Sequence, residues 1–215
     1  MRWEEYTAAW SRLHGGFDPA TATPVVRGWV RTAYAIGSFL GRKRIGPSAV
    51  TTAGLILCLA VPAVVSLGRW GTLAGAVVVL LAALADSLDG AVAVITGKAS
   101  RLGYVYDSVA DRIGEGTWLL AFWLAGAPGL VVAAAGAVSW LQEYARARAT
   151  AAGMSEIGVV TVAERPTRVI LTIFGLLLGA LYEWLITPVV IVWIALSVVG
   201  LAQLTVAVRR ALGDR

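Results

Sequence analysis

Four aspartates stand where this chain is otherwise almost continuously apolar. Asp86 and Asp89 close one hydrophobic run, and Asp107 and Asp111 open the next. Between Gly71 and Ala85 there are only fifteen uncharged residues, and between Glu115 and the Gly126–Gly129 turn only ten. A membrane-spanning helix needs about twenty. One helix must therefore run through Asp86 and Asp89 to Val92 or beyond. The next must begin near Leu102 and include Asp107, Asp111 and Glu115. Spacings of three and four residues put each pair of aspartates on one helix face. Converging carboxylates repel one another unless cations sit among them.

The rest of the chain fits an all-α integral membrane protein. It is 58% apolar and 14% charged, with a mean hydropathy of +0.76, whereas soluble domains are about a quarter charged. One cysteine, Cys58, excludes an internal disulfide and a cysteine metal cluster. His14 has no histidine partner. No secretory signal peptide is expected, because the first long apolar run begins only after Arg44.

Residues 1–44 read as an amphipathic juxtamembrane segment. Trp3, Tyr6 and Trp10 recur at helical spacing before Gly15, Gly16, Asp18 and Pro19 break the pattern. Pro24 to Arg42 then mixes aromatic and aliphatic residues with Arg27 and Arg31, as interfacial helices do. A short soluble cap is the other reading. Residues 45–215 read as a six-helix transmembrane domain. Its spans start at Ile45, Gly71, Leu102, Pro128, Glu164 and Ile186, and a polar loop with Gly153, Ser155 and Glu156 follows the fourth. With these boundaries all basic residues except Arg69 fall on or near one side. The positive-inside rule puts that side, both termini and the mouth of the aspartate site in the cytoplasm of a multi-pass cell-membrane protein. The net charge of +5 is then a topology signal, and nucleic acid is not an expected partner.

A charge at mid-bilayer costs roughly 2.5–3.5 kcal/mol, so four acids need a purpose. Two divalent cations would neutralise them, and oxygen-only ligands favour Mg²⁺, Mn²⁺ or Ca²⁺ over zinc. Two such ions can hold a diphosphate, and one acid at the edge can accept a hydroxyl proton.

The stretch resembles the signature of the CDP-alcohol phosphotransferases, D-x-x-D-G-x-x-A-R, eight or nine residues, then G-x-x-x-D-x-x-x-D. Asp86, Asp89, Gly90, Ala93, Gly103, Asp107 and Asp111 match it, with eight residues between position 94 and Gly103. The resemblance implies transfer of a phosphatidyl-type group from a CDP-linked lipid, CDP-diacylglycerol foremost, to a small polar alcohol at a lipid bilayer, releasing CMP. It assigns two divalent metals to Asp86, Asp89, Asp107 and Asp111, with Asp111 also the catalytic base. It assigns nucleotide contacts to Pro47, Thr51, Asp86, Gly90, Ala93, Gly103 and Asp107, and it implies a homodimer. Two positions depart from the pattern: Val94 replaces the signature arginine, and Ser48 replaces an asparagine that commonly follows the first-span proline. Lys98, one turn after Val94, and Arg101 are the candidates to supply the missing charge.

Arg146 and Arg148 end the fourth span, and Glu164-Arg165-Pro166-Thr167-Arg168 opens the fifth. Juxtamembrane arginines commonly anchor topology, but guanidinium forks also bind phosphate. This arrangement is similar to that of bacterial phosphatidylinositol-phosphate synthases, which implies that Arg146, Arg148, Arg165 and Arg168 bind the phosphate of an acceptor such as inositol phosphate. Glycerol phosphate is the next candidate acceptor. Two readings from other classes stay open: a cation transporter using the intramembrane aspartates, and a catalytically weakened relative that binds nucleotide. Gly71-x-x-x-Gly75 and Gly175-x-x-x-Gly179 allow close helix contact, within the chain or between copies. Glu115 lies one turn beyond Asp111 on the same face, placed to orient a neighbour by hydrogen bonding or to pair with Arg112 or another arginine, and Glu143 has the same alternatives.

Overall fold

A computed structural model of the chain describes residues 1–13, 19, 21–154 and 160–213. His14, Gly15, Gly16, Asp18, Ser155 and Glu156 lie outside the described residues. Eight α-helices follow in order among the described residues: α1 (Trp3–Leu13), α2 (Pro24–Arg42), α3 (Pro47–Val65), α4 (Arg69–Thr96), α5 (Arg101–Leu124), α6 (Gly129–Ala151), α7 (Arg165–Leu181) and α8 (Ile186–Leu212). A single 3-10 turn, Glu183–Leu185, precedes α8, and the described residues contain no strand. Helices α4 and α5 do run through the aspartates, as the span lengths demand.

Among the described residues, three helical segments are long and apolar enough to cross a membrane: Pro47–Val65, Arg69–Thr96 and Glu183–Leu212. The protein is a membrane protein on this ground. The other long helices fall short for identifiable reasons. Helix α5 carries Asp107, Asp111, Arg112 and Glu115, α6 carries Glu143, Arg146 and Arg148, and α7 has 17 residues.

The helix ends follow local chemistry. Thr23 caps α2 by accepting a hydrogen bond from the Val26 amide, and Pro24 occupies the first helical position. Ser100 does the same for α5, its Oγ accepting from the Gly103 amide at 3.0 Å. Helix α4 stops at Gly97, whose φ of +66° suits a residue without a Cβ.

The chain forms two compact units, residues 1–57 with 81–111, and residues 58–80 with 112–215. In the first, Tyr6, Val30, Ala33, Val50, Ala85, Leu88, Ala91 and Val92 make the core. The Tyr6 and Tyr34 rings lie 5.1 Å apart, and Trp3 meets Tyr34 edge-on at 5.3 Å. These contacts bind α1 to α2. The Trp29 indole donates to Ser87 Oγ at 2.9 Å, and Gly37 lets α2 approach Ala91 of α4 closely. Helices α1 and α2 thus support the helix that carries Asp86 and Asp89.

In the second unit, α6 and α7 both pack on α8. Phe122 and Trp193, both fully buried, meet edge to face, and the Trp193 indole donates to Ser139 Oγ at 2.8 Å. Apolar attraction is weak between helices already in lipid, so small residues that permit close packing matter more. A Cβ on Gly175 would lie 2.8 Å from the Phe122 ring, and one on Gly179 would strike Ile186. A Cβ on Gly71 would strike the Val64 carbonyl, and one on Gly75 would lie 2.7 Å from Val65. Both glycine pairs are used in packing within the chain.

Candidate active site

Asp86 and Asp89 on α4 and Asp107 on α5 converge, each offering a carboxylate oxygen within 4.8 Å of the others. The four-residue loop 97–100 returns the chain from α4 to α5 and lets the two acidic faces meet. Asp111, one turn further along α5, is not part of this group of three. Thr51 on α3 reaches the same cluster, its hydroxyl 2.6 Å from Asp89 Oδ2. The Thr51 hydroxyl also lies 3.2 Å from the Pro47 carbonyl, but its one proton goes to the shorter, charged partner. Thr52, the next residue, meets the Tyr106 hydroxyl at 2.8 Å and ties α3 to α5.

Three carboxylates at this separation fit a hard divalent cation. Mg²⁺–oxygen distances of about 2.1 Å allow ligands across one ion to lie about 4.2 Å apart. No histidine or thiolate takes part in the cluster, so the donor set selects against zinc and copper.

A cleft of about 170 Å³ opens beside the cluster. Pro47, Thr51, Gly90, Ala93, Lys98, Gly103 and Asp107 all line it, together with Asp89, Ser48, Ser100 and Tyr104. Asp86 is in the carboxylate group but not on the cleft wall. Three neighbours, Ala99, Ser100 and Tyr104, escaped the sequence reading. Ser100 carried a signal, since a serine just before a helix is an expected cap; Tyr104 carried none. Val94 is also off the cleft wall, half-buried against the core that holds α1 and α2 to α4.

The arginine candidates belong to the second unit and differ from one another. Arg168 is 1% exposed. Its Nη1 donates to both oxygens of Glu115 at 3.0 Å, and its Nη2 lies 3.0 Å from Glu143. Arg112 pairs with the same two acids at 3.2 and 3.1 Å. Glu115 and Glu143 thereby acquire a role: they close a neutral ring of four charges joining α5, α6 and α7. Arg146 donates to Glu164 Oε1 at 2.5 Å. The same oxygen accepts from the Thr161 amide and hydroxyl, both at 2.8 Å, and buried Gln142 donates to that hydroxyl at 2.9 Å. Arg148 is exposed, and Arg165 is half-buried.

Known proteins resemble this chain in sequence and in fold. A sequence model of the CDP-alcohol phosphatidyltransferase family matches residues 44–202. The chain is 35% identical over 198 residues to a phosphatidylinositol phosphate synthase of Mycolicibacterium smegmatis, covering 86% of this chain and 87% of that one. It is 30% identical over 160 residues to an archaetidylinositol phosphate synthase of Pyrococcus horikoshii, covering 74% and 84%. Crystal structures of the Mycobacterium tuberculosis phosphatidylinositol phosphate synthase share the fold at 26% identity. The complex with CDP-DAG superimposes with a TM-score of 0.74 over 85% of this chain and 96% of that one. The complex with manganese and citrate gives 0.71 over 84% and 90%. With three of the four signature aspartates gathered in one cluster and the family match spanning most of its length, this chain is an enzyme of the CDP-alcohol phosphatidyltransferase family.

Proposed function

We propose that this enzyme transfers the phosphatidyl group of CDP-diacylglycerol to a hydroxyl of inositol phosphate in phospholipid biosynthesis, releasing CMP. The observation that carries the reading is the meeting of Asp86, Asp89 and Asp107 in one carboxylate group, two of whose members, Asp89 and Asp107, line the α3–α4–α5 cleft. The relatives named for inositol phosphate chemistry favour the acceptor. Asp86, Asp89, Asp107 and Asp111 hold two divalent cations, Mg²⁺ or Mn²⁺, which when bound stabilise charge on the diphosphate. Pro47, Thr51, Gly90, Ala93 and Gly103 shape the nucleotide side of the cleft. Thr51 orients the Asp89 carboxylate through its hydrogen bond. Asp111, outside the tight group of three, accepts the proton of the attacking hydroxyl. The acceptor oxygen bonds to the lipid-bearing phosphorus as the bond from that phosphorus to the CMP oxygen breaks.

Arg146, Arg148 and Arg165 bind the acceptor phosphate, and Arg168 supports the helices that present them. Residues 1–44 form the juxtamembrane segment, and residues 45–215 form the catalytic domain with helices α3 to α8 as six spans. Both termini and the site face the cytoplasm, where the basic residues concentrate, and the enzyme works as a homodimer.

The test offers purified enzyme CDP-diacylglycerol and Mn²⁺ with inositol phosphate, glycerol phosphate, inositol or serine, and identifies the lipid product by mass. Phosphatidylinositol phosphate as the main product supports the reading. Phosphatidylglycerol phosphate as the main product would replace the acceptor, and ion flux without CMP release would replace the reaction.

A further inference from the structure

The cleft wall is acidic. Asp89 and Asp107 both line it, and the donor proposed above brings an anionic diphosphate into it. Cations held by the carboxylates offset part of this charge. The chain itself contributes one positive side chain to the described cleft wall, that of Lys98.

Two backbone bonds fix where Lys98 begins. The Gly97 amide donates to the Val94 carbonyl at 3.3 Å, and the Lys98 amide donates to the Ala93 carbonyl at 3.0 Å. With Gly97 in the left-handed region, this closes α4 as a Schellman motif. Lys98 is the first residue beyond it, beside the helix C-terminus, where positive charge is favoured. Two residues later Ser100 caps α5, so the short loop is held at both ends. Lys98 is exposed, and among the described residues its ammonium forms no ion pair. It is available to a ligand.

The signature position itself is otherwise employed. Val94 packs against the core that includes Tyr6, Val30, Ala91 and Val92, the same core that Trp3 and Trp10 of α1 pack against. A guanidinium there would start from a backbone position facing this apolar cluster. Arg101 opens α5 but does not line the cleft.

We infer that Lys98 binds the diphosphate of the CDP-linked donor and sets donor affinity in this chain, a role built on the Gly97 turn and on the commitment of Val94 to the α1–α2 core. The inference rests on the proposed use of a CDP-linked donor and does not depend on which acceptor is used.

The test titrates CDP into the full-length enzyme in detergent micelles with saturating Mn²⁺, and measures KM for CDP-diacylglycerol in the transfer assay. Lys98→Ala should weaken CDP binding about tenfold, the loss of one charge-assisted hydrogen bond. KM for CDP-diacylglycerol should rise in parallel, with kcat and the KM for the acceptor held. Lys98→Arg should keep most of the affinity. Unchanged CDP affinity in Lys98→Ala overturns the inference, and so does an equal loss in Arg101→Ala, which would mark a general surface-charge effect. If CDP affinity depends on Lys98 while inositol phosphate is not used, the acceptor assignment fails and the role of Lys98 stands.

Discussion

Both carboxylate oxygens of Glu115 accept hydrogen bonds from a single nitrogen of Arg168, each at 3.0 Å. Neither residue is more than 1% exposed. Glu143 and Arg112, both half-buried, complete a ring of two positive and two negative groups around the buried Arg168–Glu115 pair. Burying either charge alone would cost far more than the pair gains, and that asymmetry predicts the effect of breaking it. Glu115→Ala leaves the Arg168 guanidinium without its main partner and should destabilise the protein by about 3–5 kcal/mol. The apparent Tm in micelles should fall sharply, and Glu115→Gln should fall less. An unchanged Tm in Glu115→Ala would show that the ring contributes nothing.

Thr51 gives a prediction about metal affinity. Its hydroxyl holds Asp89 Oδ2 at 2.6 Å, and loss of such an outer partner commonly costs 10–100-fold in metal affinity. Thr51→Val should raise the Mn²⁺ concentration for half-maximal activity by about tenfold, with the rate at saturating Mn²⁺ largely kept. Thr51→Ser should behave as wild type. An unshifted Mn²⁺ curve in Thr51→Val would remove Thr51 from the metal site.

Tyr6 sets an alkaline limit on the packing of α1. It is 1% exposed, and burial pushes its phenol up from about 10 to about 12. The fold favours the neutral phenol, so this contribution is complete below pH 10 and is lost as pH rises through 12. Tryptophan fluorescence from Trp3 and Trp10 should change between pH 10 and 12. Tyr6→Phe should shift that change upward or abolish it, and an identical titration in both proteins would contradict the assignment.

Gly175 tests the close packing of the second unit. A Cβ there would sit 2.8 Å from the Phe122 ring and 2.9 Å from Val189. Gly175→Leu should cost about 1–3 kcal/mol or more through overpacking, read as a lower apparent Tm. A tolerated leucine with unchanged Tm would mean that this face is looser than it looks.

The path of α4 and α5 through the aspartates was legible because fifteen- and ten-residue apolar runs cannot span a bilayer alone. The carboxylate cluster was legible because helical spacing leaves few other ways to place Asp86, Asp89 and Asp107. Arg168 was not. Its partner Glu115 lies 53 residues away, and nothing local separates a buried arginine from its exposed neighbour Arg148. The packing of α1 was equally hidden, since Trp3, Tyr6 and Trp10 fit a lipid interface as well as they fit α2 and α4. The glycine pairs could not choose between internal and intermolecular contact until Phe122, Ile186 and Val65 were seen against them.

If the aspartates carry out metal-dependent transfer from a CDP-linked lipid, the reaction must depend on both the metal and the carboxylates. The decisive measurement is CMP release from CDP-diacylglycerol in the presence of inositol phosphate, for wild type, Asp89→Asn and Asp111→Asn with Mn²⁺ or with chelator. Wild type should release CMP only with metal, and both variants should fall by at least about a hundredfold, the lower bound typical for loss of an acid–base or charge-stabilising group. CMP release that persists under chelation, or that survives both substitutions, would contradict it.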